Sequence, residues 1–177
     1  FGGHALSNAL DTLLDAAKVI DDPDVIFVLV GDGVEKNRLV QRKKKEEIKN
    51  VFFLPSVRKK SVPELVTMFD CVYAGSQPSP LYRFGICLNK IYDSMMGGKP
   101  IICAITTAYS PVAEYQCGYM VGSGDIKGIC NSIHELKGLD GESRAQYGIN
   151  GKNAAKQFFT YGQLALKFNL LFEELMQ

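Results

Sequence analysis

Three polar residues near the middle of the chain have the types and spacing of a ligand site. Asn89, Lys90 and Asp93 follow a glycine turn at Phe84-Gly-Ile and begin a predicted short helix. Residues three or four positions apart share a helix face, so these side chains can point the same way. The start of a helix attracts phosphate through its free N–H groups. A cation for phosphate and a carboxylate for sugar hydroxyls suit a nucleotide sugar. The alternative is a buried helix with a surface Lys90–Asp93 ion pair.

Two glycine turns are further candidates. Gly2 and Gly3 precede a helical pattern, and a backbone without side chains can approach a ligand closely. His4 can donate to a phosphate or a sugar hydroxyl, although a flexible chain end is an equally good interpretation. The segment Gly31-Asp-Gly33 follows an apolar strand, but the G-x-G-x-x-G fingerprint would need glycine where the chain has Lys36. We therefore favour a tight turn there over a phosphate loop.

Composition limits the classes of function. The 177 residues suit a single domain spanning 1–177, and a formal net charge of +1 argues against bulk binding to nucleic acid. The basic segment 36–49 is diluted by glutamates and indicates a solvated helix face. Five cysteines without a C-x-x-C pair indicate a reducing cytoplasm and no metal site. Because the chain starts with Phe1, we expect a piece of a longer protein with a truncated first strand.

Strand-like and helical patterns alternate along the chain, which is typical of a parallel α/β sheet. The predicted strands are residues 25–30, 51–54, 71–74, 101–104 and 119–121. The predicted helices are residues 7–20, 33–49, 61–69, a helix near 89–96, 125–136, and two helices in 140–176 separated near 160–162. Ser61 and Glu64 have the spacing of a capping box, and Asp125 is a predicted helix cap. These patterns predict a Rossmann-like parallel sheet flanked by helices.

The same motifs resemble the C-terminal half of GT-B glycosyltransferases of family 4. One branch has an acid-bearing helix that reads G-I-S-P-N-K-x-x-D/E-Y-M-x-x-G-K-P. Here it stands as Gly85-Ile-Cys-Leu-Asn-Lys90, Asp93-Ser-Met-Met and Gly98-Lys-Pro. Further segments match in the same order, at residues 2–6, 10–14, 27–33, 51–55 and 64–70. The resemblance implies a donor-binding domain of a retaining enzyme that takes UDP- or GDP-linked sugars without a metal or another cofactor.

The resemblance also implies roles for individual residues. Asp93 matches the second acid of the family's E-x7-E pattern and would bind the ribose hydroxyls of the donor. The backbone of Gly85 and Ile86 would face the donor sugar. Val57 and Arg58 lie where such domains contact the base, mainly through the backbone.

The diphosphate would be held from two sides. Lys90 and the amides at the start of its helix, including that of Asn89, would contact it on one side, with Gly3 opposite. Gly2 and His4 belong to the same donor-binding turn. Of the departures from the branch pattern, Cys87-Leu88 replaces Ser-Pro and Ser94 replaces Tyr.

The resemblance implies that the acceptor site lies in a preceding N-terminal domain. We therefore expect this chain alone to bind a donor weakly and to transfer nothing. The full enzyme would glycosylate a glycan or glycolipid in polysaccharide biosynthesis, in the cytoplasm or peripherally at the inner membrane face. Two alternatives are an NAD-dependent oxidoreductase domain and a non-enzymatic α/β regulatory module. The missing third glycine argues against the first, and only Asp32 and Asp70 are available for an acidic cluster in the second.

Overall fold

The computed structural model describes residues 1–176, in which two parallel sheets are flanked by helices. The first sheet pairs β1 (Phe27–Val30) with β2 (Val51–Leu54). The second has the order β3 (Val72–Gly75), β4 (Ile101–Ala104) and β5 (Gly118–Val121). The helices are α1 (Leu10–Val19), α2 (Lys36–Lys45), α3 (Val62–Thr67), α4 (Asn89–Met96), α5 (Pro111–Glu114), α6 (Ile126–Gly138), α7 (Gly141–Phe158) and α8 (Tyr161–Leu175). The predicted parallel α/β fold is confirmed.

Strand β4 shows why both faces of the second sheet are covered. All four of its residues are buried, and their side chains alternate between two cores. Ile102 and Ala104 join the core formed with α1 and α6. Ile101 and Cys103 join the core formed with α4 and α7. Helix α4 is therefore fixed on one face of the sheet, while α1 lies on the other.

The amino-terminal segment connects the ends of the two sheets. The Gly2 and His4 amides donate to the carbonyl oxygens of Val30 and Asp32, over 2.9 and 2.7 Å. A few residues later, the Ser7 carbonyl accepts from the Gln77 amide over 3.0 Å. Residues 2–8 therefore run between the carboxyl end of β1 and that of β3, at the edge where parallel α/β folds bind ligands.

Two of the predicted helix starts differ from the structure. The capping box at Ser61 and Glu64 is wrong: Ser61 ends a 3₁₀ turn that begins at Lys59, has helical dihedral angles, and makes no side-chain cap. The predicted helix 7–20 is divided, since Ala9 adopts φ 47° between a 3₁₀ turn at Leu6–Asn8 and helix α1. The Asp125 cap is confirmed by its bond to the Gly128 amide, 2.9 Å long.

The basic helix α2 is not simply a solvated face. Arg42 lies between α2 and α1. It donates to Asp11 over 2.7 Å, to Glu46 over 2.9 Å and also to Asp15. Arg38 forms a second ion pair with Asp11 and lowers the pKa of that carboxyl group. The prediction missed these pairs because the partners lie on α1, about thirty positions earlier in the chain. They fasten α2 to α1.

We expect Gly148→Ala to destabilise the chain by about 1–3 kcal/mol, because overpacking displaces backbone. A Cβ atom at this position in α7 would overlap the carbonyl oxygen of Gly98, which follows α4. Thermal unfolding should show a loss of about 2–4 °C per kcal/mol. Gly138→Ala is the control, since a Cβ there would meet nothing within 4 Å. Equal melting temperatures for the two variants would contradict the prediction.

Candidate functional site

A cavity of about 250 Å³ lies where the amino-terminal segment meets the carboxyl ends of β1 and β2. It is lined by Phe1, Gly2, Gly3, Val30, Gly31, Asp32, Ser56, Val57 and Val62. The lining combines two glycine turns, which expose backbone, with three valines. This combination suits a flat ligand group that carries a polar extension.

Close backbone contact between the two glycine turns shapes the cavity. Gly31 and Gly33 have φ angles of 155° and 153°, and a Cβ at Gly31 would overlap the Gly2 carbonyl. A Cβ at Gly33 would fall 2.5 Å from the His4 carbonyl oxygen. Glycine is therefore needed at both positions for the amino-terminal segment to lie against the end of β1.

His4 is brought to this region, but it is not among the residues that line the cavity. The residue is 3% exposed, and its imidazole packs edge-on against Phe53 with the ring centroids 5.8 Å apart. Burial, together with the nearby Lys36 ammonium, lowers the pKa of the imidazole. Its Nδ1 atom has no hydrogen-bond partner among residues 1–176. The ring is thus a neutral group of the interior, and the backbone of His4 holds the turn.

Lys90 and Gly3 are joined through a third residue, Asn8. The Lys90 ammonium donates to Asn8 Oδ1 over 2.7 Å, and Asn8 Nδ2 donates to the Gly3 carbonyl over 2.8 Å. The ion pair between Lys90 and Asp93, which was the simpler sequence alternative, is absent from the ion pairs of the described chain. Asn8 was not a predicted site residue, because the predicted helix 7–20 placed it in an ordinary first turn.

The Lys90 ammonium is a cation without a counter-ion. No carboxylate within residues 1–176 lies within 4.0 Å of it, and burial lowers its pKa. Helix α4 begins one residue earlier, after Leu88, whose side chain makes no cap. The backbone amides of Asn89 and Lys90 have no hydrogen-bond acceptor among the described residues. A partly buried ammonium and free amides at a helix start form an environment that favours an anion.

Asp93 lies one turn further along α4, on its exposed side. Partial burial raises the pKa of its carboxyl group, and the Lys59 ammonium opposes this shift. Lys59 belongs to the 3₁₀ turn before α3, and Val62 at the start of α3 lines the cavity. Asp93 is therefore held on the side of α4 that faces α3. Without a hydrogen bond to another described residue, its carboxylate is free to accept from hydroxyls.

The turn before α4 is fixed by its own hydrogen bonds. Gly85 has φ 99°, and a Cβ there would lie 3.2 Å from the Tyr109 side chain. The Gly85 amide donates to Tyr82, and the buried Ile86 donates to the Tyr109 carbonyl over 3.3 Å. Because both amides are already used, this turn can offer a ligand only its carbonyl oxygens and the bare Gly85 Cα.

The remaining predicted residues lie around the site with few contacts. Val57 lines the cavity and is 41% exposed. Arg58 is exposed beside it, and its carbonyl accepts from the Ser61 amide over 2.8 Å. The Asn89 side chain is exposed at the start of α4. The structure thus brings the glycine turn, Val57 and Lys90 to one edge of the fold.

Comparison with known proteins gives a family and a fold. A family model described as glycosyl transferases group 1 matches residues 6–154, which is most of the chain. A search of curated proteins finds no match. Within residues 1–176, no helix is both long enough and apolar enough to cross a membrane.

Solved structures with low sequence identity share the fold. HepE from Anabaena, solved in complex with UDP, has a TM-score of 0.79 at 23% identity, covering 98% of this chain and 48% of its own. TarM from S. aureus, also solved with UDP, has a TM-score of 0.74 at 20% identity, covering 96% and 34%. The C-terminal domain of LpcC from Francisella tularensis has a TM-score of 0.72 at 18% identity, covering 91% and 84%. This chain therefore spans about half the length of HepE and most of the LpcC domain.

We expect Lys90→Met to raise the melting temperature at pH 7, by about 2–4 °C for each kcal/mol of desolvation cost that the substitution removes. Burial lowers the Lys90 pKa in the folded state, so the folded chain disfavours the proton that the unfolded chain holds. This loss of folding stability is present at pH 7. It disappears as the pH rises from the lowered pKa of Lys90 in the folded chain to the ordinary value of 10.5 in the unfolded chain.

Thermal unfolding of wild type and variant between pH 7 and 10.5 measures this difference. The control is Lys99→Met, at a partly buried lysine after α4 whose ammonium forms no hydrogen bond or ion pair within residues 1–176. A gain in stability that persists unchanged at the alkaline end would contradict the electrostatic cause.

Proposed function

Because the chain belongs to the group 1 glycosyl transferases, we propose that it is the donor-binding domain of a retaining enzyme that uses a nucleotide-diphosphate sugar. The observation that carries the proposal is the Lys90 ammonium, which has no counter-ion within residues 1–176 and lies at the uncapped start of α4. A diphosphate supplies the missing negative charge. HepE was also solved with UDP-glucose, which favours a UDP-linked sugar over a GDP-linked one.

The donor would lie along the carboxyl edge of the sheets. The base enters the cavity beside Val57 and Arg58, and the ribose hydroxyls bind the Asp93 carboxylate. The diphosphate lies between the start of α4 and the turn at Gly2-Gly3. The positions of the cavity, of α3 and of α4 support this order.

The chemistry requires stabilisation of a leaving group. When the sugar is transferred, negative charge builds up on the departing diphosphate. The Lys90 ammonium and the amides of α4 are fixed beside that position before the reaction, so they stabilise this charge without a metal ion. The carbonyl oxygens of Gly85 and Ile86 would face the donor sugar.

The rest of the enzyme is part of the same proposal. An N-terminal domain would supply the acceptor site, with a glycan or glycolipid as acceptor, since HepE and TarM are both about two or three times longer than the segment they share with this chain. The cytoplasmic location, peripheral membrane association and truncated first strand stay predictions from the sequence. An NAD-dependent oxidoreductase and a regulatory module have no support from the family match.

We expect the chain to bind UDP or UDP-glucose with a Kd near or above about 0.1 mM, because the proposed N-terminal domain would supply the other side of the cleft, and to bind NADH no better than a non-nucleotide control. Isothermal calorimetry measures the affinities. With UDP-glucose alone or with added acceptor, the chain should release no UDP. Tighter binding of NADH than of UDP would favour the oxidoreductase alternative.

We expect Asp93→Ala to weaken UDP binding about tenfold, the loss caused by removing one charge-assisted hydrogen bond. The variant should also bind UDP and 2′-deoxy-UDP equally well, whereas the wild type should prefer UDP. Asp70→Ala is the control, because Asp70 is an exposed carboxylate that precedes β3 and so lies at the opposite edge of the sheet. Unchanged discrimination between the two nucleotides in Asp93→Ala would remove the ribose role.

A further inference from the structure

The side-chain amide of Asn8 has only one orientation that suits its two neighbours. Its Nδ2 donates to the Gly3 carbonyl over 2.8 Å, and its Oδ1 accepts from the Lys90 ammonium over 2.7 Å. In the flipped orientation the Nδ2 group would face the Lys90 ammonium, so that two donors meet. The Oδ1 atom would then face the Gly3 carbonyl oxygen, so that two acceptors meet. The pair of contacts therefore fixes the amide and, with it, the direction of the lysine.

Asn8 itself is held firmly. The preceding carbonyl, that of Ser7, accepts from the Gln77 amide and from the Ser76 hydroxyl, both over 3.0 Å. Ser76 is 5% exposed and follows β3, so this anchor belongs to the sheet. On the other side, Ala9 closes the 3₁₀ turn with a bond of 3.1 Å to Leu6. The second sheet therefore fixes the position of Asn8, and Asn8 in turn fixes the position of the Lys90 ammonium.

The chemistry of an amide suits this place better than a carboxylate does. A lysine side chain loses much of its rotamer freedom when it is held in one position. An aspartate could accept from Lys90, but it could not donate to the Gly3 carbonyl, and it would cancel the charge that an anion needs. The neutral Asn8 amide orients the ammonium and leaves its charge available.

We propose that Asn8 is a positioning residue, which aligns the Lys90 ammonium with the Gly2-Gly3 turn so that both contact one donor diphosphate. Asn8 acts through Lys90 and Gly3, and it need not touch the donor itself. The inference rests on the proposed donor-binding function. It assigns a role to a residue that lies outside the motif segments on which the family resemblance was based.

The test compares UDP with uridine, which lacks the phosphates, by calorimetry or NMR titration of the whole chain. We expect Asn8→Ala to bind UDP about five- to tenfold more weakly and to bind uridine as the wild type does. Asn8→Asp should lose more UDP affinity than Asn8→Ala, because its carboxylate neutralises Lys90. The matched control is Asn50→Ala, since the Asn50 amide likewise bonds a backbone carbonyl, that of Ala17 over 2.9 Å, far from the site.

A double-mutant cycle separates positioning from general destabilisation. If Asn8 acts through Lys90, Asn8→Ala in a Lys90→Met background should cost clearly less UDP affinity than it costs alone. An equal cost in both backgrounds would overturn the proposal. So would an equal loss for uridine, or the same loss in Asn50→Ala. If Asn8→Ala fails to fold, Asn8→Asp decides, because wild-type UDP affinity in that variant would also overturn the proposal.

The two proposals fail in different ways. If Lys90→Met weakens UDP binding while Asn8→Ala does not, the donor site stands and the role of Asn8 is wrong. If Lys90→Met leaves UDP binding unchanged, the diphosphate role of Lys90 fails and the role of Asn8 fails with it. A wild-type chain that binds neither UDP nor GDP would overturn both.

Discussion

The close approach of two backbone segments is the constraint on which the site depends. Residues 2–4 lie against the turn after β1 only because Gly31 and Gly33 lack side chains. This contact creates the cavity and fixes the Gly3 carbonyl, and that carbonyl in turn orients Asn8. A methyl group at either glycine would push the amino-terminal segment away. The position of Lys90 thus depends, through Asn8, on two glycines more than fifty residues earlier in the chain.

The site also shows a conflict between stability and binding. An ammonium that is partly buried without a carboxylate is unfavourable in the empty protein, as the lowered pKa of Lys90 indicates. Ion pairs are available to this chain, since Arg42 joins three carboxylates on the other face of the fold. Arg42 and Lys90 differ in what they can offer a ligand. A cation that is already paired with carboxylates, such as Arg42, has little affinity left for an anion, whereas an unpaired cation such as Lys90 gains from binding one.

The elements of the fold were largely predictable from the sequence. Apolar runs such as Ile101–Ala104 predicted buried parallel strands, because a strand covered on both faces has no polar position. The motif from Gly85 to Pro100 predicted the start of α4 and the family, which the match over residues 6–154 supports. The capping box at Ser61 failed because a preceding 3₁₀ turn places that residue in helical conformation, a detail that residue types alone do not determine.

By itself, the sequence determined the fold class and the family, and it predicted Lys90, Asp93 and the Gly2-Gly3 turn as donor-binding groups. Only the tertiary structure decided how they are joined. It turned the His4 ring into the core against Phe53, placed Asn8 between Gly3 and Lys90, and left Lys90 unpaired with Asp93. The physical reason is that motif spacing reports neighbours along one helix, whereas Asn8, which accepts from Lys90, lies about eighty positions earlier and meets it only when the sheets assemble.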